Sequence, residues 1–442
     1  MKKILVIGAG LSSSYLIKYL LANAKKENWQ ILVADQSIDL AKQKIGKSKQ
    51  AIALAFNINN QNEREEAIKN ADLVVSLLPP TLHIIAAQDC ITFKKNLVTA
   101  SYVTPTMQSL HDDALKAGVL FLNEIGLDPG IDHLSAMEMI HKIQNNGGDI
   151  ISFKSFCGGL VAPEFDTNPW NYKFTWNPRN VILAGQATAQ FLENGLIKFI
   201  PPNRIFEQTE TIKVTNYGLF EMYANRDSLS YITPYGLQNA TTVMRGTLRK
   251  KGFSQSWNLL VKLGLTDDSF NIHNSAHLTY RDLVASFISG ANNSNVEYAF
   301  CAFLNIDKAS KDFKRVKWLG LFTNEIIGIE NATPAQILQH LLQQKWFLEK
   351  TDLDMIVMKH EIAFTKTAGG KIQKINSTLV VKGEDKTYTA MAKTVGLPMA
   401  IACKLILQNK IKAKGVQIPI TPEFYEPILA ELAKNGIQFL EE

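Results

Sequence analysis

Two carboxylates and a histidine surround a Leu-Asp-Pro-Gly turn in the stretch Asn123-Glu124-Ile125-Gly126-Leu127-Asp128-Pro129-Gly130-Ile131-Asp132-His133. An apolar run, 119–122, leads straight into it. Among alternating strands and helices that run reads as a strand, and the turn falls at its carboxyl end. Open α/β sheets place their ligand crevices there. Pro129 fixes its own φ and keeps Asp128 out of the helical region. Gly130 permits close backbone approach. Asp128 suits proton transfer to or from a bound molecule, and it also suits capping a helix that starts near Ile131. Tyr102 is the other first candidate for proton transfer, with Glu124 and His133 behind them. His133, just inside a helix, fits a structural role equally well.

Other polar tips converge on the same region. The buried run 72–78 passes through Ser76 and Leu77 to Pro79-Pro80, and the run 96–100 ends at Ser101-Tyr102. Upstream, a short β-rich run at 3–7 is followed by Gly8-Ala9-Gly10-Leu11-Ser12-Ser13 and a helical pattern containing Leu16, Leu20 and Leu21. Strand, glycine turn and helix stand in the order that cradles a dinucleotide. Gly8 makes the tight turn and Gly10 lets the backbone reach a pyrophosphate. Ser13 is small enough for helix–strand packing, and the amides of Leu11, Ser12 and Ser13 at the helix start face the phosphates. Asp35 ends the second strand, 30–34, at the distance from the turn where an acidic side chain accepts bonds from the adenosine ribose. It would meet a 2′-phosphate as a like charge. NAD is therefore the expected cofactor, with NADP the alternative, since Lys42 and Lys44 could fold back toward it.

These elements need a scaffold. Strands are expected at 51–56 and 119–122, with helices at 63–69 and 107–117. The alternation implies a doubly wound parallel sheet. After Gly147-Gly148 the pattern changes. A β-like run at 151–156 ends at Cys157-Gly158-Gly159-Leu160. A loop rich in Pro, Asn and aromatics follows, from Ala162 to Arg179, and a loop of that length calls for a purpose. The pattern predicts a helix over 181–191, a mixed stretch over 205–235, and mostly helix over 254–348. Two strands return within 355–381, separated by Ala368-Gly369-Gly370, and a helix-like run covers 390–407.

The chain has 442 residues, 46% of them apolar, enough for two or three domains. Net charge is +6 and Lys and Arg are scattered, so nucleic acid is not an expected partner. No apolar run approaches the ~20 residues of a bilayer span, and the opening run is too short for a signal peptide. The four cysteines are far apart without a C-x-x-C, so neither a metal site nor a disulfide framework is indicated. A reducing, cytoplasmic setting is expected.

Taken together, the motifs resemble the glutamate-forming saccharopine dehydrogenase family, also called saccharopine reductases. The resemblance runs through Ser76-Leu77-Leu78-Pro79, Ala100-Ser101-Tyr102-Val103-Thr104-Pro105, the 124–133 stretch and Cys157-Gly158-Gly159-Leu160-Val161-Ala162-Pro163-Glu164. It continues through Asn168-Pro169, Tyr172-Lys173-Phe174, Asn225-Arg226-Asp227-Ser228, Arg245-Gly246-Thr247-Leu248-Arg249, Trp318-Leu319-Gly320-Leu321-Phe322 and Ala392-Lys393-Thr394-Val395-Gly396. It implies an α/β fold of three parts. A Rossmann dinucleotide domain would take 1–130 with 390–442. A mixed α/β substrate domain would take 131–250 with 350–389, and a small helical domain 251–349. It implies a substrate site lined by Ser101, Tyr102, Asp128, Cys157, Gly158, Gly159, Leu160, Arg226, Arg245 and Thr247. Val161 and Pro80 depart from the family's usual proline and aromatic. Asp35 looks like the NAD-using animal type. Beginning at its first strand, the chain is expected to lack a fused upstream reductase domain.

The implied reaction interconverts saccharopine with glutamate and 2-aminoadipate 6-semialdehyde. Saccharopine carries three carboxylates and a secondary amine. Arg226 and Arg245 suit its carboxylates, because guanidinium binds them bidentately. Related enzymes of the same fold, a carboxynorspermidine-type reductase or a lysine 6-dehydrogenase, are the alternative. A non-catalytic dinucleotide-binding module would not need the polar cluster at the strand tips. Expected partners are a small molecule with several carboxylates and, as an assembly, a homodimer; no membrane and no metal is expected.

Overall fold

A computed structural model describes residues 1–367 and 370–442. The chain divides into two compact units. One comprises Met1–Asp149, Lys366–Lys371 and Leu379–Glu442; the other comprises Ile150–Thr365 and Ile372–Thr378.

The first unit is built on a parallel sheet. Its early strands are β1 (Lys2–Ile7), β2 (Trp29–Asp35), β3 (Ala51–Ala55), β4 (Leu73–Ser76), β5 (Asn96–Thr99) and β6 (Leu120–Leu122). The spatial order is Gly415–Gln417, β6, β5, β4, β1, β2, β3. The order reverses between β1 and β4, which opens the crevice of a doubly wound sheet at that point. Helices α1 (Ser13–Glu27), α2 (Ile38–Ile45), α3 (Gln61–Lys69) and α4 (His83–Thr92) connect the first strands. The helix expected over 107–117 is two helices, α5 (Pro105–Gln108) and α6 (His111–Ala117), and α7 (Ile131–Asn145) follows the Asp-Pro-Gly turn. The strands are apolar without alternation because both faces are covered: Leu5, Ile7, Val74, Leu97 and Phe121 lie in one buried cluster with Cys90 and Val416.

The helix Ala390–Leu407 packs along α1 in this unit. They meet tightly at Gly396, where a Cβ would stand 2.7 Å from the Leu16 amide nitrogen and 3.2 Å from Ser12 O. This is the one helix among the described residues that is long and apolar enough to cross a membrane, and 83% of it is buried within the protein.

The second unit is a mixed sheet. Its strands are β7 (Asp149–Val161), β8 (Ala189–Glu193), β9 (Leu196–Ile200), β10 (Thr209–Val214), β11 (Gly218–Ala224), β12 (Thr242–Lys250), β13 (Asp354–Thr365) and, up to Thr378, β14 (Ile372–Lys382). They run β10-β11-β12-β7-β13-β14, with β8 and β9 joined to β12. The expected Ala368-Gly369-Gly370 connection lies partly outside the described residues, which omit Ala368 and Gly369. The expected helix over 181–191 is a correction. Only Pro178–Ile182 is α-helical, and the chain then enters the β8–β9 hairpin. The hairpin turns at Asn194 and Gly195, with φ of 50° and 79°. Asn-Gly in left-handed conformations is a favoured hairpin turn, and it outweighs the helical spacing of the apolar residues.

The stretch expected to be helical holds Phe253–Leu263, Tyr280–Ser286, Val296–Leu304, Lys311–Trp318 and Pro334–Lys345, all within the second unit. The Pro-, Asn- and aromatic-rich loop packs against them. Trp170 lies 5.3 Å from Trp346 and 5.8 Å from Phe253, centroid to centroid, and Tyr172 lies 5.2 Å from Trp346. Burying a side chain such as Phe253 stabilises by roughly 1.5–3 kcal/mol. The loop's purpose is thus a shared aromatic core.

Candidate active site

In the first unit the glycine turn has the shape a pyrophosphate requires. Gly8 has φ of +106°, and a Cβ there would press on Leu77 at 3.2 Å. A Cβ at Gly10 would meet nothing within 4 Å, so the space beside it is open. Ser13 is fully buried and donates its hydroxyl to Gly10 O at 2.7 Å, tying the turn to α1. Ser12 caps α1 without a side-chain bond to the helix amides, and Leu11 is exposed beside it. These residues fit a dinucleotide phosphate. Asp35, half-buried at the end of β2, accepts from Ala9 N at 2.7 Å and from Ser37 N at 2.8 Å. Its carboxylate is thereby held against the glycine turn. Lys44 does fold back, and donates to Ser14 Oγ in the first turns of α1. Burial pulls its pKa below the usual lysine range.

The tips of β4 and β5 are joined by a residue the sequence did not single out. His83, in the first turn of α4, places Nδ1 2.8 Å from Ser76 Oγ and Nε2 2.7 Å from Ser101 Oγ. Thr99 Oγ1 lies 3.3 Å from the same Nε2. Burial pushes the imidazole pKa down to about 4, so the ring is neutral near pH 7. Leu77, next to Ser76, donates its amide to Ile7 O at 2.9 Å and so ties this tip to the glycine turn.

Tyr102 is 42% exposed and Asp128 is half-buried. The 126–130 turn that carries Asp128 is held tightly. Gly126 N donates to Pro129 O at 2.9 Å, and a Cβ at Gly130 would overlap the Gly126 backbone. Only glycine fits there. The peptide bond between Asp128 and Pro129 is cis. Glu124 and His133 occupy each other at 2.8 Å, both buried. The other carboxylate oxygen of Glu124 accepts Val103 N at 2.8 Å, and Glu124 N donates to Ser101 O at 3.1 Å. This pair therefore braces the loop that carries Ser101 and Tyr102.

In the second unit, Cys157 on β7 stands in register with Thr247 on β12, and Thr247 with Tyr223 on β11. Strand alternation puts Arg245, Thr247 and Arg249 on one face. Gly158 points the other way, and a Cβ there would meet Leu248 O at 2.7 Å, so its lack of a side chain serves sheet packing. Gly159 is half-buried and Leu160 is buried. Asn225 N donates to Arg245 O at 2.9 Å, and Gln190 N to Arg226 O at 2.7 Å. The turn at 225–228 is thus clasped between β8 and β12, which brings exposed Arg226 beside the backbone of Arg245. Arg245 is buried, with its guanidinium 4.1 Å from the Tyr231 ring centroid.

Arg249 shares this face, a residue that the sequence motif contains without marking it as a site residue. It is buried and lies 4.9 Å from the Tyr172 ring centroid and 5.4 Å from that of Phe253. Burial works against its charge, but Tyr223, Tyr172, Cys157 and Glu221 outweigh it and raise the guanidinium above its usual range. The two-residue period from Arg245 would have found it. His83 carried no such periodic signal. Among the described residues no group of three or more His, Cys, Asp or Glu could hold a metal ion.

Comparison with known proteins agrees with this architecture. Residues 4–122 match the saccharopine dehydrogenase NADP binding domain and residues 126–437 the saccharopine dehydrogenase C-terminal domain. The chain is similar to saccharopine dehydrogenase [NADP(+), L-glutamate-forming] of Schizosaccharomyces pombe, 34% identical over 450 residues, covering 100% of this chain and 99% of that protein. It is 35% identical to the mitochondrial alpha-aminoadipic semialdehyde synthase of Rattus norvegicus, covering 99% of this chain and 47% of that longer protein. The apo, histidine-tagged saccharopine dehydrogenase (L-Glu forming) of Saccharomyces cerevisiae superposes with a TM-score of 0.90 at 32% identity, over 100% of this chain and 99% of that one. Glycine turn, strand tips, arginine turn and full-length similarity agree: the chain belongs to the saccharopine dehydrogenase family.

Proposed function

We propose that this protein is an NAD(P)-dependent saccharopine dehydrogenase, an oxidoreductase acting on the CH–NH group of a secondary-amine amino acid. It interconverts saccharopine with L-glutamate and 2-aminoadipate 6-semialdehyde in lysine metabolism. Beside family membership, the observation that carries this reading is the clasped turn that sets Arg226 next to Arg245. Two arginines brought together by one clasped turn suit a substrate with several carboxylates, and a diamine would have no use for them.

The dinucleotide, when bound, supplies the hydride chemistry. The chain supplies position. The 8–13 turn and Asp35 hold the adenosine and pyrophosphate end, with Ser76 and Leu77 toward the nicotinamide end. Ser101, Tyr102, Asp128, the 157–160 segment, Arg226, Arg245 and Thr247 are assigned to the substrate. Asp128 and Tyr102 are the groups assigned to move a proton at the substrate nitrogen or the attacking water. Glu124 and His133, already engaged with each other, are assigned to support.

NAD is the preferred cofactor in this reading, because the Asp35 carboxylate faces the place of the ribose hydroxyls and opposes a 2′-phosphate. Lys44 on Ser14 favours the second reading, use of NADP, by placing a cation near the same ribose. The four free, buried cysteines suit a reducing, cytoplasmic setting. Absorbance at the NADH band, with saccharopine, lysine and carboxynorspermidine offered in turn under NAD⁺ and NADP⁺, tests both readings. Turnover of lysine alone overturns the substrate, and equal use of the two dinucleotides overturns the cofactor preference.

A further inference from the structure

The Ser76–His83–Ser101 chain lies inside the first unit and has no place in the proton transfer assigned above. Both hydroxyls stand at strand carboxyl ends, and both contact one ring. Ser76 is 1% exposed, while Ser101 is only partly buried. A neutral imidazole has one N–H and one lone pair, on opposite sides of the ring. A hydroxyl has one proton and two lone pairs. If Nδ1 carries the hydrogen, it donates to Ser76 Oγ, and Ser76 keeps its own proton free to donate to another group. Nε2 then accepts a hydroxyl proton from Ser101, whose remaining lone pairs face outward. The other tautomer reverses both roles. Thr99 Oγ1 lies 3.3 Å from Nε2 and accepts the Ser101 amide at 3.3 Å, so it shares the Ser101 end of the ring.

We propose that His83 is a positioning residue that gives Ser76 and Ser101 opposite hydrogen-bonding roles, so that contact with the dinucleotide at Ser76 selects what Ser101 offers the substrate. This rests on the assignment of Ser76 to the cofactor and Ser101 to the substrate. It also goes beyond that assignment, because it makes the two binding events depend on one ring. A change of tautomer breaks the N–H bond at one ring nitrogen and forms one at the other, the released proton passing to water and its replacement coming from water, so the ring stays neutral, each hydroxyl keeps its hydrogen and no net charge moves.

The test uses the full chain labelled with ¹⁵N-histidine. The ring-nitrogen shifts of His83, assigned with His83→Gln, report the tautomer. Wild type, Ser76→Ala and Ser101→Ala are compared with and without NADH, and NADH binding is followed separately by fluorescence. The expected result is one dominant tautomer in wild type, a different distribution in each serine variant, and a shift on NADH addition that Ser76→Ala abolishes. Kinetics add a double-mutant cycle. His83→Gln and Ser101→Ala should each raise the saccharopine KM about tenfold, the worth of one hydrogen bond, and the double variant no further. Ring signals that are identical in all three proteins, or unmoved while NADH binds, overturn the proposal; so do KM effects that multiply. If wild type binds no NADH, the cofactor assignment fails, and with it the link from Ser76. If NADH binds but saccharopine is not turned over, only the substrate reading fails, and the tautomer experiment still decides on His83.

Discussion

Asp35 and Ala9 close the mouth of the glycine turn: the carboxylate accepts the Ala9 amide at 2.7 Å while its other oxygen takes Ser37 N at 2.8 Å. Each oxygen keeps a lone pair, and these are what a ribose hydroxyl would meet. Asp35→Ser should therefore lose NAD⁺ affinity and lower kcat/KM with NAD⁺ about tenfold, or about 1.4 kcal/mol. NADP⁺ kinetics should hold or improve. Lys44→Gln should do the reverse, weakening NADP⁺ alone. Parallel kinetics with both dinucleotides check this.

Removal of Arg226 leaves a substrate carboxylate without its charged partner, worth roughly 1.5–3 kcal/mol. Arg226→Ala should lower kcat/KM for saccharopine at least about tenfold. Arg245→Lys should be no milder, because lysine lacks the broad guanidinium that lies over the Tyr231 ring and its forked donors. Unchanged saccharopine kinetics in folded Arg226→Ala would take that residue out of the site.

Glu124→Gln turns a charged acceptor into a neutral one at the Val103 amide and at His133. The cost should be on the order of 1–2 kcal/mol. A lower melting temperature is expected, together with a higher saccharopine KM, since the braced loop carries Ser101 and Tyr102. Thermal melts and steady-state kinetics report the two effects separately.

The pKa of His83, lowered from 6.5 to about 4 by burial, makes stability depend on pH. Below pH 6.5 the unfolded chain takes up a proton that the folded ring refuses until pH 4. Stability therefore falls as pH drops through that window, by at most about 1.4 kcal/mol per unit from this group. His83→Asn should show a shallower decline. Urea unfolding at pH 7, 6 and 5 would show it, and parallel declines in the two proteins would contradict the assignment.

At Gly396 a methyl group would stand 2.7 Å from Leu16 N. Gly396→Ala should force the helix Ala390–Leu407 away from α1, at a cost of about 1–3 kcal/mol. Dinucleotide affinity should fall with it, because the displaced helix start carries Ser12 and Ser13. Melting temperature and NADH titration give the two readings.

The features read most directly from the sequence were those determined by neighbours along the chain. The glycine turn, Asp35 at the end of β2, and Ser76 and Ser101 at or just past their strand tips follow from short-range pattern. The β8–β9 hairpin was hidden because apolar spacing across 181–191 suited a helix, while the deciding Asn194-Gly195 turn lay beyond it. His83 was not legible at all. Its role comes from two serines brought together by adjacent strands, a relation with no local signal. Gly158 and Gly396 are likewise explained only by Leu248 and Leu16, far off in sequence.

The first unit is left by the chain at Asp149 and rejoined for good only at Leu379. Synthesis runs from the N-terminus, so the glycine turn and α1 are made long before the helix that packs on α1. A nascent chain halted at residue 389 would carry every residue of the second unit and strands β1 to β6 of the first, yet leave the flank of α1 beside Gly396 bare. The packing of α1, the helix that follows the glycine turn, is completed only after the whole second unit has been made.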